Sequence, residues 1–244
     1  MSLFLSLTLI TKISIFNHTW KNLNSDNMAK KVFICRHAER NDDIPKSAKI
    51  PNTIASDEPI SHLGHTQAEL LTQTILSEIP PGSRVHIVSS PFIRCIQTIS
   101  KLCESLELPL HLESGFGELF YWQSFTWNPF DHLQYFVDPE RFRENYRNVQ
   151  IIENSHICVP DYPENDKMTA ERIARVYEPY IRSREEDVIV ICTHYGIMEH
   201  IALYMGANAD LQFRYTILTT CVYNEGKFEI FKFCLLYTSD AADE

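Results

Sequence analysis

The chain has 244 residues, 44% of them hydrophobic and 22% charged, which is enough and ordinary for one large globular α/β domain. A net charge of −10 and an isoelectric point near 5.5 exclude a generally basic surface of the kind that coats nucleic acid. The seven cysteines contain no Cys-x-x-Cys pair and are scattered through apolar patterns, which argues against zinc and against a disulfide framework and favours a reducing, cytoplasmic setting. In chain order, Met1 to Asn27 reads as a translated leader or disordered extension. Its rival is a targeting peptide carried by the apolar stretch Leu3 to Ile10. No basic residue precedes that stretch, and Lys12 interrupts it before membrane-spanning length.

From Met28 the pattern becomes that of a folded domain, taken as residues 28–233. Val32 to Cys35 is a short β-branched run bounded by polar residues, a buried strand, with Cys35 as a small core residue. Asn41 to Glu58 is polar and carries Pro45 and Pro51, so it is a loop. Ser61 to Ser77 is an amphipathic helix with Leu63, Ala68, Leu71, Ile75 and Leu76 on its apolar face. Val85 to Val88 is a strand, Pro91 opens a helix to about Leu106, and Leu108 to Leu112 is a short strand.

Residues 116–147, rich in aromatics, form a helical insertion over the carboxyl edge of the sheet. Thr169 to Ser183 is a helix, Val188 to Cys192 a strand, Ile197 to Tyr204 a helix, and Ile217 to Tyr223 with Lys227 to Phe233 a closing hairpin around Asn224-Glu225-Gly226. Strands alternating with helices predict a three-layer α/β/α sandwich with a mainly parallel sheet, made mixed by the hairpin. Cys234 to Glu244 reads like one frame through a sequencing adapter and is set aside as a scar.

Four segments place chemistry just past strand ends or in the loops beyond, where open α/β sheets build their sites. They are Arg36-His37-Ala38-Glu39-Arg40, Ser89 to Thr98 with Arg94, Gly117-Glu118-Leu119-Phe120, and Thr193-His194-Tyr195-Gly196. Guanidinium forks bind a phosphate dianion best, because each donates two parallel hydrogen bonds. The same field keeps a nearby imidazole neutral and nucleophilic. The Cys-x₅-Arg spacing of cysteine phosphatases occurs at no cysteine, and no Asp-x-Asp-x-Thr string suggests an aspartyl-phosphate enzyme.

These segments, in this order, resemble the histidine phosphatase (phosphoglycerate mutase-like) superfamily. The likeness is greatest to the suppressor-of-T-cell-receptor-signalling type of phosphatase domain, and it runs from about Val32 to about Phe231. That type carries an Arg-His-Gly/Ala-Glu-Arg start and an Asp-x-Pro-x-Ser/Thr-x-x-Gly-x-x-Gln-Ala segment, matched here by Asp57 to Ala68. The resemblance implies a phosphomonoesterase that needs neither metal nor cofactor. His37 would be the nucleophile forming phosphohistidine, and Glu118 the general acid and base. Arg36, Arg40 and Arg94 would bind phosphate, and His194 would donate to a transferring oxygen.

Alternatives stand beside this reading. Glu113 lies close enough to Glu118 to be the acid instead. Tyr195 stands where a small residue is common, and would either crowd the pocket or donate to substrate. The aromatic residues Phe120, Tyr121, Trp122, Phe125, Trp127, Phe130, Tyr135 and Phe136 would wall a cleft for phosphotyrosine or, more simply, form a satellite core. His62, His65, Asp42 and Asp43 are most simply solvated. A mutase or sugar-bisphosphate phosphatase would need more basic residues than the Lys46 and Lys49 of the first loop. A non-catalytic phosphate-binding module is the reading from another class. The expected partner is a phosphate monoester, with no nucleic acid and no stable membrane insertion; the choice between monomer and homodimer is open.

Overall fold

A computed structural model describes residues 30–45, 57–121, 125, 127–153, 161–207, 215–224 and 227–234. The leader segment, the Asn224 turn beyond its first residue, Lys46, Lys49, Trp122 and residues 235–244 lie outside them.

Seven strands form one sheet: β1 (Lys30–Arg36), β2 (Val85–Ser89), β3 (Leu110–Leu112), β4 (Ile151–Glu153), β5 (Val188–Thr193), β6 (Leu218–Asn224) and β7 (Lys227–Cys234). Their spatial order is β4-β3-β2-β5-β1-β6-β7. β4, β3, β2, β5 and β1 run parallel, whereas β6 is antiparallel to β1 and to β7.

Successive side chains of a strand point to opposite faces, and both faces of the central strands are covered, so the strands read as unbroken apolar runs. Phe33 and Cys35 of β1, with Val188, Val190 and Cys192 of β5, meet helices α1 (His62–Glu78) and α2 (Ile93–Leu106). Val32, Ile34, Ile189 and Ile191 meet α5 (Asp166–Arg182) and α6 (Tyr195–Tyr204) on the other face. This is the expected three-layer sandwich with a mixed sheet. None of the described helices is long and apolar enough to cross a membrane.

Several boundaries differ from expectation for local reasons. β3 begins at Leu110 because Leu108 N–H closes the end of α2 onto Cys103 O, and Pro109 has no N–H to give the ladder. α5 begins at Asp166 because the Asn165 side chain caps Met168 N. The buried face of α1 is Gly64, Gln67, Ala68, Leu71, Thr72 and Ile75, while Leu63 is 37% exposed. His62 and His65 are exposed, as expected. The edge strand β4 was not anticipated; three residues are too few to show a period.

The insertion contains a 3₁₀ turn (Pro129–His132) and two short helices, α3 (Gln134–Val137) and α4 (Pro139–Asn145). Several of its aromatics behave as core, whereas Trp127 is 46% exposed. Phe120 and Leu133 are buried with Phe92, and Phe125, Phe136 and Tyr162 pack against them. Tyr135 and Phe142 join the α1–α2 core.

Candidate active site

Parallel pairing of β1 with β5 puts Arg36 opposite Thr193, so the next residues, His37 and His194, leave the sheet side by side. His37 N–H donates to Thr193 O at 3.0 Å, and the two imidazole centroids are 5.3 Å apart. β2 pairs Ser89 with Cys192, which brings Ser90 to the same edge. The first turn of α2 supplies Arg94, and the loop after the 3₁₀ turn Ser114–Phe116 supplies Glu118.

The loop after β1 is held from two helices. Ala38 N–H donates to Thr98 Oγ1 at 2.9 Å, and Glu39 N–H to Gln67 Oε1 at 2.9 Å. Ser61 caps α1 through Gly64 N and donates to Glu39 Oε2. A Cβ at Gly64 would lie 2.6 Å from Glu39 O, so only glycine lets α1 approach this closely. Asp57, fully buried, accepts from Ile93 N at 2.8 Å and from Gln134 N at 2.9 Å, tying the start of α2 to the insertion. The Asp57 to Ala68 motif therefore builds the frame around His37 and Arg94 rather than the pocket itself.

His37 Nδ1 lies 2.8 Å from Ala38 O. A carbonyl only accepts, so Nδ1 carries the proton and Nε2 keeps its lone pair. Burial first, then Arg94, His194 and Arg36, hold the pKa of His37 well below 6.5.

His194 is gripped at both nitrogens, with Ser90 Oγ 2.7 Å from Nε2 and Glu118 Oε2 3.2 Å from Nδ1. Burial pulls its pKa down, but Cys95 and the Glu118 carboxylate outweigh it and raise the group above 6.5. Burial opposes ionisation of Glu118, yet His194 and Arg94 hold it well below the usual carboxylate range. Arg94 Nη2 donates to Glu118 Oε2 at 3.2 Å, while its buried Nε has no hydrogen-bond partner among the described residues.

Arg36 lies beneath two tyrosine rings, its Cζ 4.0 Å from the Tyr215 centroid and 5.5 Å from that of Tyr195. Arg40 points elsewhere. Its Nε and Nη2 make a forked pair with Asp42 at 2.8 and 2.6 Å, and Nη2 reaches Asp43 at 3.4 Å. Asp42 and Asp43 are thus ion-pair partners, and Asp43 also accepts from the Tyr215 hydroxyl. Tyr195 is 40% exposed at the rim, with its hydroxyl bonded to Glu199. Glu113 is buried beneath the loop that carries Glu118, accepting from Gly115 N at 2.9 Å, while Glu118 is the carboxylate that faces His194.

The structure therefore brings His37, Glu118, His194 and Arg94 together, sets Arg36 beside them, and turns Arg40 onto its own acidic neighbours. Ser90, Cys95 and Tyr215 join the site without having been anticipated. Ser90 and Cys95 stood in a quoted segment, but nothing in their type marks them; Tyr215 follows no β-branched apolar run of the kind that flags a strand end.

Among the described residues, His37, Glu118 and His194 form the one group whose ligand atoms could share a metal ion, all within 4.8 Å of one another. Glu118 is already engaged by Arg94 and His194, and the two arginines make this a place for an anion.

An α/β sheet that gathers two imidazoles, guanidinium groups and a carboxylate at its carboxyl edge defines the class as one built to handle an anion. A family model for the histidine phosphatase superfamily (branch 1) matches residues 32–234, and the chain belongs to that family. The fold is similar to that of an ecdysone phosphate phosphatase from Bombix mori in complex with tungstate (TM-score 0.63, 16% identity, 82% of this chain and 91% of that one). It is also similar to a putative alpha-ribazole-5'-P phosphatase of Escherichia coli (TM-score 0.57, 15% identity, 85% and 98% covered). A third similar fold is a phosphoserine phosphatase mutant of Entamoeba histolytica in complex with phosphoserine (TM-score 0.55, 19% identity, 85% and 98% covered). Among curated proteins, the transcription factor tau 55 kDa subunit of Saccharomyces cerevisiae is 36% identical over 90 residues. That match spans 36% of this chain and 20% of the yeast protein.

Proposed function

We propose that the chain is a metal-independent phosphomonoesterase that works through a phosphohistidine at His37. The observation that carries this reading is the His37 tautomer, with Nδ1 tied to Ala38 O and the Nε2 lone pair left for phosphorus, inside a site that also holds Arg94, His194 and Glu118.

Arg36, Arg94 and His194 bind the phosphate dianion; Arg40 joins them only by leaving Asp42 and Asp43. His37 Nε2 attacks phosphorus, and the bond to the leaving oxygen breaks with charge spread over the equatorial oxygens. Glu118 gives that oxygen a proton, then takes one from the water that cleaves the N–P bond. For this, Glu118 must be protonated when substrate is bound. A phosphate dianion placed between Arg94 and His194 replaces the carboxylate as their partner, which removes what holds the Glu118 pKa down.

Aromatic phosphate esters, including the phosphotyrosine type, are the proposed substrate class, supported by the Tyr195 and Tyr215 rings beside Arg36 and by the sequence likeness to the suppressor-of-T-cell-receptor-signalling type. A mutase or bisphosphatase is less well served, because the site gathers no further cation for a second anionic group among the described residues. A reducing, cytoplasmic setting belongs to the same reading, supported by Cys35, Cys95, Cys103, Cys192 and Cys221 being free thiols.

A second reading, a phosphate-binding module without turnover, is favoured by the match to a transcription-factor subunit. One experiment separates them. Turnover of p-nitrophenyl phosphate should persist in excess EDTA, and an acid-labile phosphoenzyme should be trapped in the wild type and not in His37→Ala. Complete loss on chelation removes the mechanism, and oxyanion binding without turnover at any ester selects the module.

A further inference from the structure

We propose that Arg172, locked to Glu164, is a positioning residue that fixes the loop bearing Glu118 and so sets the aim of the acid. Arg172 stands on α5, 1% exposed, and its hydrogen bonds go to main-chain carbonyls and to Glu164. All five of its N–H donors are used. Nη1 donates to Gly115 O at 2.8 Å and Gly117 O at 2.9 Å, and Nη2 to Glu118 O at 3.0 Å. Nε and the second hydrogen of Nη2 go to the two Glu164 carboxylate oxygens at 2.8 and 2.7 Å.

Glu164 completes the clamp from the other side. Its Oε2 accepts from Phe120 N at 3.3 Å, and its own N–H donates to Phe120 O at 2.9 Å. Three acceptor sites of the loop, at 115, 117 and 118, are thus read by one rigid fork, and residue 120 by its partner. A lysine has three donors on a flexible stem and cannot span these positions.

Two further ties fix the loop's height over the sheet. Thr193 Oγ1 donates to Phe116 O at 2.7 Å, one residue before His194. Leu119 seats on Gly196, where a Cβ would come within 2.2 Å of Leu119 Cδ1. Neither tie reaches residue 118 itself; Arg172 holds its main-chain carbonyl, while Leu119 N–H, Arg94 and His194 hold its carboxylate.

A buried pair of this kind is weak evidence for stability, because replacing both partners with apolar residues of similar volume is often neutral. A positional role is different: a misplacement of about 1 Å costs roughly 10²-fold in rate.

The proposal rests on Glu118 being the acid, so the test is run beside Glu118→Gln and with a second readout. The variants are Arg172→Lys and the double change Glu164→Leu with Arg172→Met. The double change removes the clamp without leaving a lone buried charge, so it disturbs the fold less than a change that strands one partner of the pair. For the double variant the expected result is a cooperative melting transition, lowered because the carbonyls of 115, 117 and 118 lose their donor, and for both variants an unchanged KM. With it goes a fall in kcat of roughly 10- to 10²-fold on an alkyl phosphate, and little change on p-nitrophenyl phosphate. Amide hydrogen exchange across 115–120 should rise. Equal losses on both esters, with exchange unchanged, would overturn the proposal, as would full activity of the double variant. If Glu118→Gln shows no dependence on the leaving group, the acid reading is what fails. The clamp then stands or falls on the exchange result alone.

Discussion

Two histidines at neighbouring strand ends are driven in opposite directions. His37 is buried beside Arg94, His194 and Arg36 and titrates well below 6.5; His194 sits against Cys95 and Glu118 and titrates above it. Environments that push paired groups apart fit the proposed division of roles, with the ring held toward its neutral form as nucleophile and the ring held toward its protonated form as donor. The sign for His37 is that its folded pKa lies below the unfolded one, so the stability tied to its neutral form is present above 6.5 and lost as pH falls. For His194 the tied stability is present below 6.5 and lost as pH rises through its folded pKa. With p-nitrophenyl phosphate, whose leaving oxygen hardly needs a proton, the acidic limb of kcat/KM should fall below 6.5 once the substrate's own ionisation is divided out. A limb at or above 6.5 would show that His37 is not held neutral. Glu118→Gln should cost roughly 10²–10⁴-fold on an alkyl phosphate or a phosphoserine peptide and far less on p-nitrophenyl phosphate. Equal losses on all esters would make Glu118 only a partner of Arg94.

At the scale of elements, the loop after β1 and the start of α2 must be held still for His37 and Arg94 to meet one phosphate. Asp57 does this with two backbone hydrogen bonds, to Ile93 N and Gln134 N, while fully buried. Asp57→Asn keeps the size but turns an NH₂ toward one of those N–H groups. It should cost about 1–3 kcal/mol in urea unfolding, with activity lowered because Arg94 rides on α2. A variant as stable and active as the wild type would show that the two helix starts are set elsewhere. The central strands were legible because Val32 to Cys35 and Val188 to Cys192 are short apolar runs covered on both faces. The helix starts were less so. Asn165 caps α5 from outside any apolar period, and Leu63 mimics a core residue at a position that faces solvent. β4 owes its existence to pairing with β3, which no local signal carries.

Across the whole molecule, residues as distant as His37 and His194 share one edge because β1 and β5 are adjacent and parallel, so residues that follow strands were legible as a set. Ties that arise only from packing, such as Tyr215 over Arg36 and Arg40 folded onto Asp42, were not. The chain carries a net charge of −10, so the phosphate affinity proposed above has to come from a few guanidinium groups rather than from its overall field. Binding at that point should be felt by the entire fold, since a ligand that binds only the native state stabilises it by mass action. Tungstate or inorganic phosphate at about 100 times its Kd should add about 2.7 kcal/mol, a rise of several degrees in melting temperature for a domain of this size. Sodium chloride at matched ionic strength should not reproduce it, and Arg94→Met should abolish most of it, because a buried Nε and an Nη2 now held by Glu118 both lose their role. A rise of the same size in Arg94→Met, or in chloride, would place the oxyanion somewhere other than this pocket.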